Sequence, residues 1–340
     1  MLSIIIFCLC ALLGFVLNPD TVKSSTVDGL IMCGRIIIPS IFPFSVLSLF
    51  IHKSNVLCFF EKIAQPFCLK IFGISFRYVS IFFISLFAGY PVGAVLIKNM
   101  YKSGEISKKA AEAMLCYCVN SSPSFIIIAV GIGFFRNEAY GWILLAAHII
   151  SALLLCILFS RLCITEQTAN KPTPYGHTII DAFIEATYDS SVAVFSICSW
   201  VILFCVINSL LSRAAVADIF LCLSEVTSGC KIASESGNLL LASFLLGWGG
   251  ACVQLQILSS CRILQPRLGL FVGARFLHGI FSSAIVFVVN LFYKPSVMTA
   301  SSGTKIIART NSTAIPASVA LMLLCLVFLF SIKNSDNQPF

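Results

Sequence analysis

The sequence has little charge. Only 11% of its 340 residues are Asp, Glu, Lys or Arg, and only 14 of them are acidic, whereas a soluble domain carries about 25% charged residues. A chain of this length could not cover a water-facing surface with so few ions. The sequence also has no nucleophile elbow, zinc-protease motif, phosphate-binding loop or dinucleotide fingerprint. These absences exclude a soluble domain and count against an enzyme, and we predict no catalytic residues.

Long apolar runs are present instead, and the mean hydropathy is +0.99. A helix needs about 20 apolar residues to cross the hydrocarbon core of a bilayer. Seven runs carry no Asp, Glu, Lys or Arg: 79–97, 113–135, 139–160, 190–212, 238–261, 276–293 and 310–332. A further run, 2–17, lacks the basic start and the cleavage site of a signal peptide, so we interpret it as a retained helix. The prediction is an all-α polytopic membrane protein of roughly eight to ten membrane segments.

The net charge of +8 comes from basic residues in the short connections between apolar runs. These residues are Lys98, Lys102, Lys108 and Lys109 around one connection, Arg262, Arg267 and Arg275 around another, and Lys333 after the last run. An excess of Lys and Arg marks cytoplasmic connections. We therefore place both connections and the C-terminus in the cytoplasm, and we expect no nucleic-acid partner.

The chain divides into two membrane halves, 1–164 and 181–340, joined by a polar linker at 165–180. The segment 52–77 mixes charge with short apolar clusters and predicts a helix on the membrane surface, with a tilted or re-entrant span as the alternative. Each half has a long apolar run, then a short glycine-containing segment, then a run interrupted by small or polar residues. Weak internal symmetry of this kind is typical of secondary transporters. Whether the halves are inverted stays open.

Two interruptions in the first half suggest a binding site. Pro123, in Asn120-Ser-Ser-Pro-Ser124, removes a helical hydrogen bond and frees carbonyls near residues 119 and 120. A freed carbonyl inside lipid costs several kcal/mol, so it must face protein or a polar cavity. Gly89-Tyr-Pro-Val-Gly93 predicts a hairpin tip or a broken helix whose positive start favours an anion. The alternative for both segments is a kink packed against a neighbouring helix.

The second half offers counterparts. Glu225 lies in a segment, 216–233, that is too short to span and predicts a re-entrant hairpin, where an acid at membrane depth is functional by default. In an external loop it would instead be an ordinary solvated acid. The glycines at 247–250 indicate close helix packing. Gln254 and Gln256 follow on different helix faces, so only one of them is expected to reach a common cavity.

The candidate substrate-binding residues are Gly89, Tyr90, Pro91, Gly93, Asn120, Ser121, Ser122, Ser124, Glu225, Thr227, Ser228, Gly249, Gly250 and Gln254. We predict no cofactor, apart from a coupling proton or Na⁺. We also predict no metal site, because Cys116 and Cys118 lack further ligands nearby in sequence. His148 and His278 are interpreted as interior or interfacial residues.

Four of these blocks resemble one family. Ile38-Pro-Ser-Ile-Phe-Pro-Phe44, Ala88-Gly-Tyr-Pro-Val-Gly-Ala94, Asn120-Ser-Ser-Pro-Ser-Phe-Ile126 and Leu246-Gly-Trp-Gly-Gly250 are similar to the sporulation integral membrane protein YlbJ family, within the wider group of nucleoside-recognition or gate domains. The resemblance implies an architecture like that of concentrative nucleoside transporters, with paired re-entrant hairpins and broken helices. It also implies a role in sporulation, through transport of dipicolinate across the outer forespore membrane. The chain departs from the family pattern at Ser122, where glycine is common.

The leading hypothesis is therefore a transporter of a small polar or anionic solute in the cell membrane of a spore-forming bacterium. A transporter of nucleosides or other metabolites, and a non-transporting assembly factor for spore maturation, are the alternatives. The expected partners are the solute and the lipid bilayer, and the sequence leaves a homo-oligomer open.

Overall fold

The computed structural model of the chain describes residues 12–54, 56–163, 178–213 and 218–292. The predicted run 310–332, the linker up to residue 177 and most of the run 2–17 lie outside these ranges. All regular structure within them is helical, as predicted. The elements, in order, are α1 (Pro19–Met32), π1 (Cys33–Ile37), α2 (Ile38–Lys53), α3 (Val56–Phe72), α4 (Phe76–Ala88), α5 (Tyr90–Lys102), α6 (Lys108–Tyr117), π2 (Phe125–Phe134), α7 (Glu138–Cys163), α8 (Ile179–Arg213), α9 (Asp218–Ser224), α10 (Val226–Glu235), α11 (Leu239–Trp248), α12 (Gly250–Ser260) and α13 (Leu268–Phe292).

Five helices in the described part of the chain are long and apolar enough to cross a membrane. They are Pro19–Lys53, Glu138–Arg161, Ile179–Arg213, Leu239–Ser260 and Leu268–Phe292. A sixth is added if Phe59–Phe72 and Phe76–Ala88, which meet at 86°, are counted as one bent span. These spans do not reach the predicted eight to ten segments. The apolar runs 79–97 and 113–135 are each interrupted by non-helical residues. Composition alone does not reveal these interruptions, so it counts each run as one straight span.

The first span, Pro19–Lys53, continues through Pro39 and Pro43, although proline often ends or kinks a helix. Pro39 lies in the first turn of α2, directly after π1 and within the continuous helix Pro19–Lys53. Pro43 lies inside α2, and the helix nevertheless runs on to Lys53. This span packs along α8. A Cβ on Gly29 would lie 3.1 Å from the Ile202 Cα, so the two backbones approach closely there.

The segment 52–77 contains α3, an amphipathic helix that packs against α4 and α2. One side of it exposes Phe59, Phe60, Ile63 and Phe67. A helix with an exposed apolar face and a sharp bend into the next element suits the plane of the membrane surface. Its position on that surface stays a prediction.

Two pairs of short helices double back as hairpins. Hairpin 1 (α4 and α5) turns at Gly89, whose φ is +89°, and a Cβ on Gly93 would lie 2.8 Å from the Ser85 side chain across the turn. Hairpin 2 (α9 and α10) turns at Glu225, and a Cβ on Gly229 would lie 2.6 Å from the Cys222 carbonyl oxygen. The predicted broken or re-entrant segments therefore fold back on themselves.

Two further helices are interrupted in the middle. Broken helix 1 (α6 and π2) is non-helical at 118–122 and resumes at Pro123. Broken helix 2 (α11 and α12) is interrupted at Gly249 and Gly250, with φ of +79° and +75°. Each packs on the long helix that follows it, α7 or α13, and those two long helices pack on each other.

Glycine pairs allow this close packing. A Cβ on Gly131 would lie 2.5 Å from the Gly141 Cα, and one on Gly247 would lie 2.7 Å from the Gly279 Cα. Both pairs join a broken helix to its following long helix. The glycine at 247 thus has the packing role that the sequence predicts for it.

Ion pairs identify one end of the helix bundle. Lys53 Nζ lies 2.8 Å from Glu185 and 3.0 Å from Asp189, and Arg267 Nε lies 2.7 Å from Glu112. The last pair joins the two basic connections that the sequence analysis placed in the cytoplasm. Arg275 is the exception among those basic residues, because it lies inside α13 and is fully buried.

Candidate functional site

One cavity of about 40 Å³ is lined by the turns of both hairpins, by the break of broken helix 1 and by the start of α12, directly after the break of broken helix 2. It has room for about three water molecules. Seven of the predicted candidates line it: Gly89, Tyr90, Pro91, Ser121, Ser122, Glu225 and Thr227. The lining residues that the sequence analysis missed are Ile37, Ile41, Phe125, Ile197, Val201, Val226, Cys252, Val253 and Gln256. All of them except Gln256 are apolar, four of them lie on long helices, and nothing local distinguishes them from other apolar positions.

Hairpin 1 contributes its turn. The positive φ of Gly89 disfavours any side chain there, although a Cβ would meet only Ser122 atoms, 3.6 Å away. The Tyr90 hydroxyl donates to the Leu246 carbonyl at 2.8 Å and so ties the turn to broken helix 2. Gly93 lies behind the cavity, and a Cβ there would be 2.0 Å from the Cys118 carbonyl oxygen. Its role is therefore close packing.

Broken helix 1 contributes Ser121 and Ser122. Helix resumes at Pro123 with Ser122 in the capping position, because the Ser122 hydroxyl accepts from the Phe125 N–H at 3.3 Å. The Ser121 N–H donates to His148 Nε2 at 3.0 Å. Asn120 points behind the cavity wall, donating to the Ser85 hydroxyl at 3.0 Å and to a backbone carbonyl. It supports the break and does not line the cavity.

Hairpin 2 contributes the acid. Glu225 is 1% exposed, so the alternative of a solvated loop residue is wrong. One carboxylate oxygen accepts from the Thr227 N–H at 2.8 Å and the other accepts from the Ser228 N–H at 2.6 Å. This is an N-cap reinforced by the helix dipole. Thr227 lines the cavity, whereas Ser228 is held by its backbone and is not part of the lining.

Broken helix 2 contributes a different glutamine from the one predicted. Gln256 lines the cavity with Val253, three residues earlier on the same helix face. Gln254 lies off that face and donates to the Trp248 carbonyl at 3.3 Å. Only one of the two glutamines lines the cavity, as expected, and it is Gln256 and not the candidate Gln254.

Gly249 and Gly250 let the backbones approach one another at the edge of the cavity. A Cβ on Gly250 would lie 3.0 Å from the Val226 N and 3.1 Å from the Glu225 Cα. The second break and the tip of hairpin 2 are therefore in direct backbone contact. Ser124, the last predicted candidate, points away from the cavity into a separate pocket next to Arg35.

Arg275 fills the space behind broken helix 1. Its guanidinium donates to the Val119 and Cys116 carbonyls. Val119 is four residues before Pro123, so its carbonyl is the one that proline deprives of a donor. The sequence analysis predicted the freed carbonyl but placed Arg275 in a cytoplasmic connection. An arginine eight residues beyond Arg267, within an otherwise apolar helix, was the signal that could have found it.

Two histidines lie next to Arg275, behind broken helix 1. The His148 and His278 rings stack with centroids 4.5 Å apart, and His278 Nδ1 lies 3.3 Å from the Arg275 guanidinium. Both rings are fully buried, which agrees with the interior position predicted for them. Together they connect the long helices α7 and α13 to the broken helix in front of them.

The electrostatics of the cavity combine both signs. Glu225 neutralises the start of its own helix, whereas α5 and α12 begin at the breaks without a side-chain cap. These uncapped helix starts and the buried charge of Arg275 favour a negative group. Glu225 supplies a negative group that suits a proton or a small cation. Within the described ranges, no cluster of three His, Cys, Asp or Glu side chains could hold a metal ion.

The comparisons with known proteins give one relative. The chain is 26% identical over 325 residues to the sporulation integral membrane protein YlbJ of Bacillus subtilis (strain 168), covering 82% of this chain and 79% of the relative. No family model matches the chain, and no solved structure matches it. The chain is thus an integral membrane protein related to YlbJ, in agreement with the resemblance of its sequence blocks.

Proposed function

We propose that this relative of YlbJ is a secondary transporter of a small polar or anionic solute, which binds in the cavity between the four breaks. One observation carries the proposal: two hairpin turns and two helix breaks, distant in sequence, come together at one buried site. Non-helical backbone at membrane depth is tolerated where it lines a polar cavity or is buried in protein. Substrate sites of many secondary transporters are built from discontinuous helices in this way.

Unpaired polar atoms support a solute over a set of packed kinks. Ser121 Oγ, Asn120 Oδ1 and Gln256 Nε2 are buried without a hydrogen-bond partner among the described residues. Buried polar atoms are nearly always hydrogen-bonded. Water or a polar solute in the cavity would supply partners for Ser121 and Gln256. A protein that only scaffolds other machinery would not need such atoms around a cavity.

The order of the elements supports two related halves. Long span, hairpin, broken helix and long helix follow one another in 19–163 and again in 179–292. Each half then contains three crossings, if α3 lies on the surface and each hairpin returns to the side from which it came. An odd number of crossings makes the second half inverted relative to the first, an arrangement found in many transporters.

The end contacts agree with this inversion. Arg77 pairs with Glu105 at the base of hairpin 1, at the end that carries the basic connections. Arg213 donates to Thr21 at 2.6 Å at the opposite end of the long helices α1 and α8, five residues before hairpin 2 begins. In the proposed arrangement the hairpins enter from opposite sides, and alternating access would open first one hairpin and then the other.

Dipicolinate is the solute that we propose, in the outer forespore membrane of a spore-forming bacterium, because the relative is named as a sporulation protein. A small planar dianion suits uncapped helix starts, the nearby Arg275 and the rings of Tyr90 and Phe125. The cavity of about 40 Å³ is smaller than a solute of about a dozen heavy atoms requires. The described conformation is therefore closed, and loading requires the hairpin tips to separate.

The test is uptake of labelled dipicolinate by the purified protein in liposomes, with a labelled nucleoside in parallel and with proton or Na⁺ gradients of either direction. We expect the wild-type protein to take up dipicolinate. Asn120→Ala should stop this uptake, because it removes a side chain that supports the break of broken helix 1. Asn137→Ala, in the loop before α7, should leave uptake unchanged.

Uptake of the nucleoside alone would replace the proposed solute. If neither compound moves under any gradient, and cells carrying Asn120→Ala or Glu225→Ala sporulate normally, the transporter proposal fails. A sporulation defect without any transport would favour an assembly factor instead.

A further inference from the structure

We propose that Arg35 and the pocket around it form a second, outer anion site, which holds the solute between the central cavity and the side of the membrane opposite the basic connections. The inference rests on the proposed function. The pocket has a volume of about 280 Å³, against about 40 Å³ for the central cavity. Its polar groups are the Arg35 guanidinium and the hydroxyls of Ser40 and Ser124.

The position of Arg35 is unusual for a charged residue. It lies sixteen residues after the start of the 35-residue span Pro19–Lys53, about 24 Å along the helix axis and close to its middle. The side chain is exposed. It makes no hydrogen bond or ion pair with any residue in the described ranges. A charge in the middle of a span is costly, and it is normally found where it faces a polar cavity and a functional partner.

The local backbone gives a reason for this placement. Arg35 is the central residue of π1, and the helix returns to α geometry at Ile38. A π-turn adds a residue to the helix, shifts the side chains that follow and occurs often at functional sites. The opposite wall of the pocket is formed by π2, through Ile128, Ala129 and Gly133. Two π-helical segments thus face one another across the pocket.

The outer pocket and the central cavity share their walls. Ile36 and Ser40 line the outer pocket, while Ile37 and Ile41, the next residues of the same span, line the central cavity. Likewise, Ser124 lines the outer pocket and the next residue, Phe125, lines the central cavity. Neighbouring residues of the first span and of broken helix 1 thus line both spaces. A small movement of π1 against π2 would join them.

The two ends of broken helix 1 indicate on which side of the membrane the outer pocket lies. Gly133 and Phe134 belong to the last turn of broken helix 1, which begins at the basic connection around Lys108. The pocket therefore lies on the half of the membrane away from the basic connections. A dicarboxylate would be bound there by a guanidinium that can donate two parallel hydrogen bonds to one carboxylate.

The experiment uses the full chain in liposomes of neutral phosphatidylcholine, with labelled dipicolinate supplied from the outer face or from the cytoplasmic face. We expect Arg35→Gln to raise the half-saturation concentration for outer-face dipicolinate by about tenfold or more, the effect of losing a charge-assisted pair. Arg35→Lys should recover part of the loss. Lys23→Gln, which removes the same charge from an exposed position in α1, should change nothing.

A second variant tests the pocket without changing its charge. Ile128 is 59% exposed, so Ile128→Trp should fold and fill the pocket, and it should raise the same half-saturation concentration. If neither Arg35→Gln nor Ile128→Trp alters outer-face half-saturation while the wild-type protein transports normally, the outer site is wrong and the proposed function stands. If the wild-type protein moves no dipicolinate, the proposed solute is wrong and its outer site falls with it.

One outcome would assign Arg35 to a lipid. If the effect of Arg35→Gln appears only when phosphatidylglycerol is added to the liposomes and is absent in neutral lipid, the guanidinium binds a lipid phosphate. That result would overturn the solute site.

Discussion

At the scale of single residues, Glu225 combines two functions that are often separate. Its carboxylate holds the start of α10 through two backbone N–H groups, and the same group lines the cavity. Removal of its negative charge would therefore weaken the tip of hairpin 2 as well as change the charge of the site. In the proposed transporter, Glu225 would link solute binding to the movement of hairpin 2.

The substitution Glu225→Gln tests this link. The amide retains one acceptor oxygen, so one of the two N–H groups loses its partner, and we expect a loss of about 1 kcal/mol in thermal unfolding. Uptake should also lose its dependence on a proton or Na⁺ gradient. Glu235→Gln, at the exposed end of the same helix, is the control. Wild-type melting together with unchanged ion dependence would contradict the role that we give to Glu225.

Arg275 is the second residue whose removal has a defined consequence. Arg275→Met leaves the Val119 and Cys116 carbonyls without donors, at about 1–3 kcal/mol for each unsatisfied group. The substitution also removes the cost of burying the charge, so we expect a net destabilisation of about 2 kcal/mol. Thermal unfolding in detergent measures it. Arg262→Gln, in the exposed connection, should stay within about 0.5 kcal/mol of wild type, and an equally small effect of Arg275→Met would mean that other groups satisfy the break.

At the scale of elements, the hairpins and broken helices depend on glycines for two distinct reasons. Gly89 is needed for its backbone conformation, since its φ is +89° while a Cβ would have ordinary contacts. Gly93 is needed for space, because it sits directly on the Cys118 carbonyl. The first glycine makes the turn, and the second packs hairpin 1 against broken helix 1.

Alanine substitutions distinguish these reasons. Gly93→Ala should cost about 3 kcal/mol or more by overpacking, and Gly89→Ala about 1–2 kcal/mol by strain. Gly273→Ala should be neutral or stabilising, since it lies inside α13 with open space around it. Melting temperatures of the three variants provide the measurement. A tolerated Gly93→Ala would show that hairpin 1 can move away from broken helix 1 without loss.

At the scale of the whole molecule, the charge pattern and the contacts between helix ends define one orientation. The Arg267–Glu112 pair holds the two basic connections together, and the Arg213–Thr21 bond lies at the other end of the long helices. The chain thus has a basic end at the base of hairpin 1 and an opposite end near the base of hairpin 2.

Thiol labelling tests this orientation. Lys102→Cys and Glu235→Cys, both exposed, are introduced on a background without reactive thiols. A membrane-impermeant maleimide should label Glu235→Cys in intact cells and Lys102→Cys only after permeabilisation, because the excess of Lys and Arg predicts that the connection at Lys102 is cytoplasmic. Labelling of both positions from the same side would exclude inverted halves.

The local signals in the sequence were sufficient for the membrane class and for the positions of the breaks. Lack of charge over about 20 residues has few solutions other than a span. Gly89, Pro123 and the Gly249-Gly250 pair act on their own backbone, through positive φ or a missing N–H, so their effects can be predicted without knowing their neighbours. Glu225 at a helix start is local in the same sense.

What the tertiary structure decided depends on groups far apart in the chain. Arg275 could be assigned to the Val119 carbonyl only once α13 was placed behind broken helix 1, because the pair is 156 residues apart. Gln256 replaced Gln254 because the orientation of α12 is set by its packing and not by its own sequence. Pro39 and Pro43 did not end their helix, since a π-turn and the packing of the span along α8 accommodate them. Breaks follow from residue chemistry, whereas the cavity that they form follows from which breaks are brought together.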